Sequence, residues 1–451
     1  MGIQNLSPEI KKILEEKNAP SAFFDLPIEA LSGYRVAIDA LNVMCAQMVG
    51  ARNRVLERTD VGMFDLEKEA VTTEFLSMCL YFIEKLMYHS ITPIFVFDGE
   101  HPAEKGDTKE KRRQKVQTNR ERIEELKKIM AETDILDRSP QMVMELRKAI
   151  ASDLQISRSD GDLFRQMLDS IGVPFVMAQG DAEQLCSMLC LEGKVAAVYS
   201  ADTDNLAYGC PLVIFRPSKE RSYDSEGNSS ELLHCARIDY ILSGLEMPYQ
   251  RFLDLCIMSG CDYNTNIKGI GVKRAYAHLQ AHGCLENLPS GLDTSCLDYQ
   301  RCRQIFARVP SGEIVAAGTE SLNLKMNFRS FFEKGRAFLS TIGLSAPHTD
   351  RLFQRYRLMK PGRDGCPLYI SHPDSPWAKP KIKLVEADEI HSVDEIHSVD
   401  EIHSVDEIHS VDEIHSADEI RSVDEIHSAD EKGFRVRLSS QTEQTLVESF
   451  E

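Results

Sequence analysis

The chain lacks any apolar run approaching the roughly 20 residues that span a bilayer. Its first stretch, Met1 to Lys17, lacks the apolar core of a signal peptide. Leu6 stands where an N-myristoylation signal needs Ser or Thr, so the Met-Gly start is not expected to carry a lipid. Twelve cysteines are present but no CxxC pair, and Cys186 and Cys190 have no second ligand pair at zinc-finger spacing. These absences argue against a membrane-spanning protein, a secreted precursor and a disulfide or zinc framework, and they lead to an intracellular chain with reduced thiols as the expectation. What is present suffices for a large core. The 451 residues are 42% hydrophobic and 27% charged, and at about 100–200 residues per domain they fill two to three domain-sized units.

The net charge of −19 is unevenly placed. Residues 388–431 hold sixteen Asp/Glu and one Arg, a net of −15, which leaves −4 on all the rest. A nearly balanced body with an acidic tail can still bind an anionic partner locally. The acidic block repeats Asp-Glu-Ile-His-Ser-Val, with units starting at Asp388, Asp394, Asp400, Asp406, Asp412, Asp418 and Asp424. Its apolar positions recur every three residues, which suits neither the helical period of 3.6 nor the strand period of 2. The repeat is therefore expected to be disordered, behind a linker marked by Pro373, Pro376 and Pro380. Six of the thirteen histidines lie in it. A repeat expansion without a role accounts for them more simply than a pH sensor or a metal-binding tract.

Upstream, short apolar runs alternate with helical patterns. Val36–Ile38, Ile94–Phe97, Pro174–Met177, Ala196–Tyr199 and Leu212–Phe215 read as buried strands, and Phe75–Met87, Leu163–Ile171 and Ala182–Leu191 as amphipathic helices. This pattern predicts an α/β fold with a mainly parallel central sheet flanked by helices, whose ligands bind beyond the carboxyl ends of the strands. Acids gather at those ends. Asp39 and Asp98 close two runs, Asp181 and Glu183 follow a third, Asp202 and Asp204 follow a fourth, and Asp262 follows an apolar helix. So many carboxylates in one crevice repel one another unless cations lie between them. An all-oxygen set suits Mg²⁺ or Mn²⁺, and seven acids suit two ions about 4 Å apart, an arrangement that serves phosphodiester cleavage.

Two basic features accompany the acids. Residues 105–128 carry ten Lys/Arg against five Asp/Glu, beginning at Lys105, seven residues after Asp98. Such a run beside an acidic metal pocket would draw in a polyanion. Lys268-Gly-Ile-Gly-Val-Lys273-Arg274 lies between two helices, where backbone N–H groups at a helix start can hold a phosphate.

Taken together, Met1-Gly-Ile, Ala37-Ile-Asp39-Ala, Phe95-Val-Phe-Asp98-Gly, Asp181-Ala-Glu183, Ser200-Ala-Asp202-Thr-Asp204, Ser259-Gly-Cys-Asp262-Tyr and Gly269-Ile-Gly271 resemble the flap endonuclease family of structure-specific 5′ nucleases. The resemblance runs from Met1 to about Leu285 and weakens toward Leu344. It implies a helical arch over the active site and a helix–two-turn–helix motif. It also implies that Asp39, Asp98, Asp181 and Glu183 hold one Mg²⁺, and that Asp202, Asp204 and Asp262 hold a second with Glu183 shared. Mn²⁺ would substitute. Lys105 and Arg112 fall at the family's two basic arch positions and would act on the scissile phosphate. Gly269 and Gly271, with Lys273 and Arg274 beside them, would bind duplex backbone with a K⁺ ion, and Gly2 would lie near the DNA junction. Two positions depart from the family. Asp181 stands where Glu is usual, and Cys45 where a stacking Tyr is common. Gln444, Val447 and Phe450 loosely match a sliding-clamp peptide, although Glu451 replaces its second aromatic.

The resulting expectation is a nuclease core over 1–345, with its arch over about 103–150 and its helix–two-turn–helix over about 250–285. An extension over 346–387, the disordered repeat over 388–431 and a tail over 432–451 follow. The expected protein is a monomeric Mg²⁺-dependent 5′ flap endonuclease of replication or repair, placed in the nucleus, that binds branched DNA and no membrane. A 5′–3′ exonuclease or junction-cleaving relative is the neighbouring alternative, and a non-catalytic junction-binding scaffold the distant one.

Overall fold

The computed structural model describes residues 2–355 apart from 4, 20, 59–65, 100–105, 135–137, 155, 224–228, 317–323, 345–349 and 353, with the backbone alone at 106–112, 222, 223, 229 and 332. The acidic repeat and the tail lie outside the described residues.

Helix α1 (Leu6–Glu16) spaces Leu6, Ile10, Ile13 and Leu14 on one face, and all four are buried. Strand β1 (Phe23–Pro27) precedes β2 (Arg35–Asp39), which is buried at every position and runs straight into α2 (Ala40–Arg58). Helix α3 (Lys68–Tyr88) packs on α2 and leads to the fully buried β3 (Thr92–Phe97). Next come α4 (Gly106–Glu132), α5 (Pro140–Ser152) and α6 (Arg158–Ile171). Helix α6 opens with a reciprocal Ser157–Asp160 capping box and stops at Gly172 in a left-handed conformation. The chain continues through β4 (Phe175–Met177), α7 (Ala182–Leu191), β5 (Ala197–Tyr199) and the single-turn α8 (Asp204–Ala207). A hairpin of β6 (Leu212–Tyr223) and β7 (Ser229–Arg237) then leads to α9 (Ile238–Leu245), α10 (Tyr249–Ser259), α11 (Val272–His282) and α12 (Tyr299–Ile305).

The strands form one seven-stranded sheet in the order β1-β7-β6-β5-β2-β3-β4. The run from β6 to β4 is parallel throughout, and β7 and β1 extend it antiparallel at one edge. The mainly parallel sheet expected from the sequence is therefore present, with an antiparallel edge that the apolar runs did not announce. Strand β1 contains Asp25 and ends in Pro27, a composition tolerated at an edge where one side has no ladder to satisfy.

Alternation along the strands sends neighbouring residues to opposite faces. Ala37, Ile94, Val96, Val176 and Val198 point into one core with α1, α7, α10 and α11. Val36, Ile38, Phe95, Phe97 and Ala197 point into the other, with α2, α3 and α6. Burial on both faces explains why these strands read as continuous apolar runs. Phe164 of α6 centres the second core, its ring 5.2 Å from Phe95, 5.9 Å from Phe97 and 6.3 Å from Phe75.

Because β3 and β4 lie on one side of β2 while β5 and β6 lie on the other, the connections from β2 and β5 diverge and leave a crevice at their carboxyl ends. Replacing Phe164, which is fully buried, with Ala should cost about 3–5 kcal/mol of unfolding free energy. Urea denaturation should report the loss as an earlier midpoint at unchanged slope.

Candidate active site

Each strand beside the crevice ends at an acid. Asp39 closes β2, Asp98 follows β3, Asp181 follows β4 and leads into α7, and Asp202 follows β5. Asp98 Oδ1 accepts the Ala182 N–H at 2.8 Å, which ties the end of β3 to the first residue of α7. Next to it, Gly99 donates its N–H to Gly180 O at 2.8 Å. A Cβ at Gly99 would lie 2.2 Å from Ala178 O and 2.5 Å from Gln179 O, both backbone atoms, so any side chain there would force this corner apart. Asp98, Asp181 and Glu183 each offer an oxygen within 4.8 Å of the others'.

Asp39 joins them from the strand beside. It is 2% exposed. Its Oδ1 accepts the Asn42 N–H at 3.1 Å and its Oδ2 the Ser200 hydroxyl at 3.0 Å. Ser200 Oγ in turn accepts the Asp202 N–H at 3.1 Å, and Asp202 Oδ1 the Asp204 N–H at 3.0 Å. A continuous series of hydrogen bonds thus joins the ends of β2 and β5. Burial pushes the Asp39 carboxyl up to about 7, with the charge of Asp98 next and that of Asp202 adding; the Asn42 and Ser200 bonds oppose the rise. The Cys186 thiol is raised first by burial and then by Asp39, Glu183 and Asp98. The Tyr208 hydroxyl is raised chiefly by burial, with Asp181, Asp204 and Glu183 adding. Asp39 thus has Asp98 and Asp202 as charged neighbours, and Tyr208 has Asp181, Asp204 and Glu183. Asp262, half-buried in the turn after α10, precedes Tyr263, whose hydroxyl donates to Asp181 Oδ2 at 2.7 Å.

The N-terminal segment lies on the same rim. Gly2 has φ +80°, and a Cβ there would lie 2.1 Å from Asp202 Oδ1 and 2.7 Å from Asp204 Oδ1. Ile3 N–H donates to Thr203 Oγ1 at 2.9 Å.

The donor set answers whether a metal fits. It is all carboxylate and half-buried to buried, and burial together with the neighbouring charge of Asp98 raises Asp39, a cost that a hard divalent cation would relieve. The Asp98–Asp181–Glu183 cluster can hold such an ion.

The other candidates fall as follows. Gly269 has φ +81°, and Gly271 is the N-cap of α11. Arg274 Nη1 donates back to Gly269 O at 2.7 Å and so closes this turn, while Lys273 Nζ reaches Glu16 of α1 at 2.6 Å. Arg112 lies in α4, of which its backbone is described. Lys105, Gln444, Val447 and Phe450 lie outside the described residues. The sequence reading passed over Asn42, Ser200, Tyr208 and Tyr263. Ser200 and Tyr263 sit within the quoted stretches, but nothing in their spacing marks them as partners of acids 161 and 82 positions away.

Without metal, the raised Asp39 works against the fold as pH rises. The folded chain keeps a proton up to about 7 that the unfolded chain releases near its ordinary value of ~4. Glu84, buried beside Arg351 and also raised to about 7, acts in the same direction. The melting temperature in EDTA should fall from about pH 4 to about pH 7. Saturating Mg²⁺ should flatten the upper part of that slope, and Asp39→Asn should remove part of it. A slope in EDTA unaffected by Asp39→Asn would count against this electrostatic account.

Comparison with known families finds the XPG N-terminal domain over residues 1–119 and the XPG I-region over residues 172–262. The chain is 34% identical over 299 residues to Flap endonuclease 1 of Cryptosporidium muris, covering 64% of this chain and 60% of that protein. It is 30% identical over 339 residues to Flap endonuclease 1 of Candida dubliniensis, covering 72% of this chain and 81% of that protein. Among solved structures, it is similar to the flap endonuclease-1 from Methanococcus jannaschii, with a TM-score of 0.43 at 24% identity over 74% of this chain and 96% of that one.

Proposed function

Because the chain belongs to the flap endonuclease family, we propose that it is a structure-specific 5′ nuclease that hydrolyses a phosphodiester at the single- to double-strand junction of 5′-flapped DNA. The observation that carries this reading is the grouping of Asp98, Asp181 and Glu183 within 4.8 Å, with Asp39 at the end of the adjacent parallel strand beside the charges of Asp98 and Asp202. In this reading Asp39, Asp98, Asp181 and Glu183 hold one Mg²⁺, and Asp202, Asp204 and Asp262 the second, with Glu183 shared. Mn²⁺ can substitute. When bound, the ions would supply an activated water and charge stabilisation for the leaving oxygen. The chain's own residues bind and orient. Lys105 and Arg112 attract the displaced 5′ strand and hold the scissile phosphate against the acids. Helices α4 and α5 would supply the arch under which this strand passes.

The turn between α10 and α11 would take the downstream duplex through the backbone N–H groups near Gly269 and Gly271, where a K⁺ ion would offset phosphate charge. Lys273 exchanges Glu16 for a DNA phosphate, while Arg274 keeps the turn closed. Gly2 leaves space at the junction beside Asp202 and Asp204. The tail residues Gln444, Val447 and Phe450 would reach a sliding clamp on the long acidic tether. The protein would act as a monomer in the nucleus, where branched DNA arises in replication and repair. Among the described residues no helix is long and apolar enough to cross a membrane.

A labelled 5′-flap duplex, compared with nicked and gapped duplexes, tests the assignment. Cleavage at the junction is expected with Mg²⁺ and none with EDTA; cleavage in EDTA, or none with any divalent ion, would refute it. Asp202→Asn should abolish cleavage while junction binding, followed by fluorescence anisotropy, persists. Single-turnover rates of Lys105→Ala and Arg112→Ala should fall by several orders of magnitude.

A further inference from the structure

Asp181 stands at the N-cap of α7 with extended backbone, φ −77° and ψ 137°. An Asp in that place ordinarily accepts an N–H of its own first turn. This one makes no such bond. Asp98, from the end of β3, accepts the Ala182 N–H instead, at 2.8 Å. The Asp181 carboxylate is drawn elsewhere: its Oδ2 accepts the Tyr263 hydroxyl at 2.7 Å, with Asp181 3% and Tyr263 6% exposed. The Tyr263 ring is itself held. It meets Phe306 edge-on at 5.3 Å, and its hydroxyl lies 3.4 Å from that of Tyr208, whose ring packs on the same Phe306 at 4.8 Å. These contacts hold the phenol beside Asp181.

We propose that Tyr263 is a positioning residue for the metal centre, its hydroxyl holding the Asp181 carboxylate away from the α7 cap and among Asp98 and Glu183. Two sets of donors compete for this short side chain: the first-turn amides of its own helix and the phenol. A carboxylate won by the amides no longer offers its oxygen to the cluster. A carboxylate held by the phenol stays in it, in a buried site where a neutral donor stabilises the ionised form without competing for the cation. Tyr263 belongs to the turn between α10 and α11, so the element proposed to grip duplex DNA also sets the orientation of one metal acid.

This inference rests on the metal reading of the acids, and its test separates the two. Binding of Mn²⁺ alone, without DNA, is measured by isothermal titration calorimetry on the full chain. Tyr263→Phe, which keeps the ring and loses the hydroxyl, should weaken Mn²⁺ binding about 10- to 100-fold. Its melting temperature in EDTA should be unchanged, since the packing stays and the helix gains its cap. Asp181→Ala should weaken Mn²⁺ on its own, and adding Tyr263→Phe to it should have no further effect. On flap DNA, Tyr263→Phe should need more Mg²⁺ for half-maximal rate yet recover its turnover at saturating Mg²⁺. Unchanged Mn²⁺ affinity in Tyr263→Phe overturns the proposal, as does an equal further loss in the Asp181→Ala background, which would mark a general loosening. No Mn²⁺ binding by the unaltered chain overturns the metal reading itself, and this inference with it.

Discussion

Carboxylates brought within a few ångströms of one another in a half-buried crevice repel, and the rest of this molecule is arranged so that they stay there. Asp39 shows the strain most directly: burial and the charge of Asp98 raise it to about 7. An acid left to itself would turn toward solvent. Here the backbone forbids that, because Asp39, Asp98 and Asp202 are anchored at the ends of strands whose positions are set by two large cores. The hydrophobic burial on both sheet faces does the work that holds like charges together, and the same geometry makes the crevice receptive to divalent cations.

Small hydrogen bonds then refine what the sheet imposes. Ser200 ties Asp39 to the Asp202 backbone, Asp98 caps α7, and Tyr263 takes Asp181. Each donor is neutral and each comes from an element other than that of the acid it holds. Gly99 and Gly2 serve the same end by having no side chain where a Cβ would collide with the corner or with the acids. The N-terminal segment, the sheet and the helical pair α10–α11 therefore all contribute contacts to these acids.

Much of this was legible beforehand for reasons that can be named. Strands β2, β3 and β5 are short, apolar at consecutive positions and terminated by acids, because burial on both faces of a parallel sheet tolerates little else. Helix α7 was read with its observed bounds, since its apolar residues face one core. Strands β1 and β7 were not read: they carry Asp25, Glu231 and His234, residues an edge can accommodate and a periodicity argument discounts. Arg274, expected to bind duplex backbone, also donates to Gly269 O, a bond within the turn that its sequence position did not announce.

The identity and order of the acids, the α/β alternation and the basic helix after Asp98 were determined by the sequence by itself, because residue type and local period are one-dimensional properties. Which hydroxyl holds which carboxylate was decided by the tertiary structure, because Ser200 and Asp39, or Tyr263 and Asp181, become neighbours only when separate strands and helices close over a shared core. The elevation of Asp39 belongs to the same class: desolvation and neighbouring charge depend on distances through space, which a chain of letters does not contain.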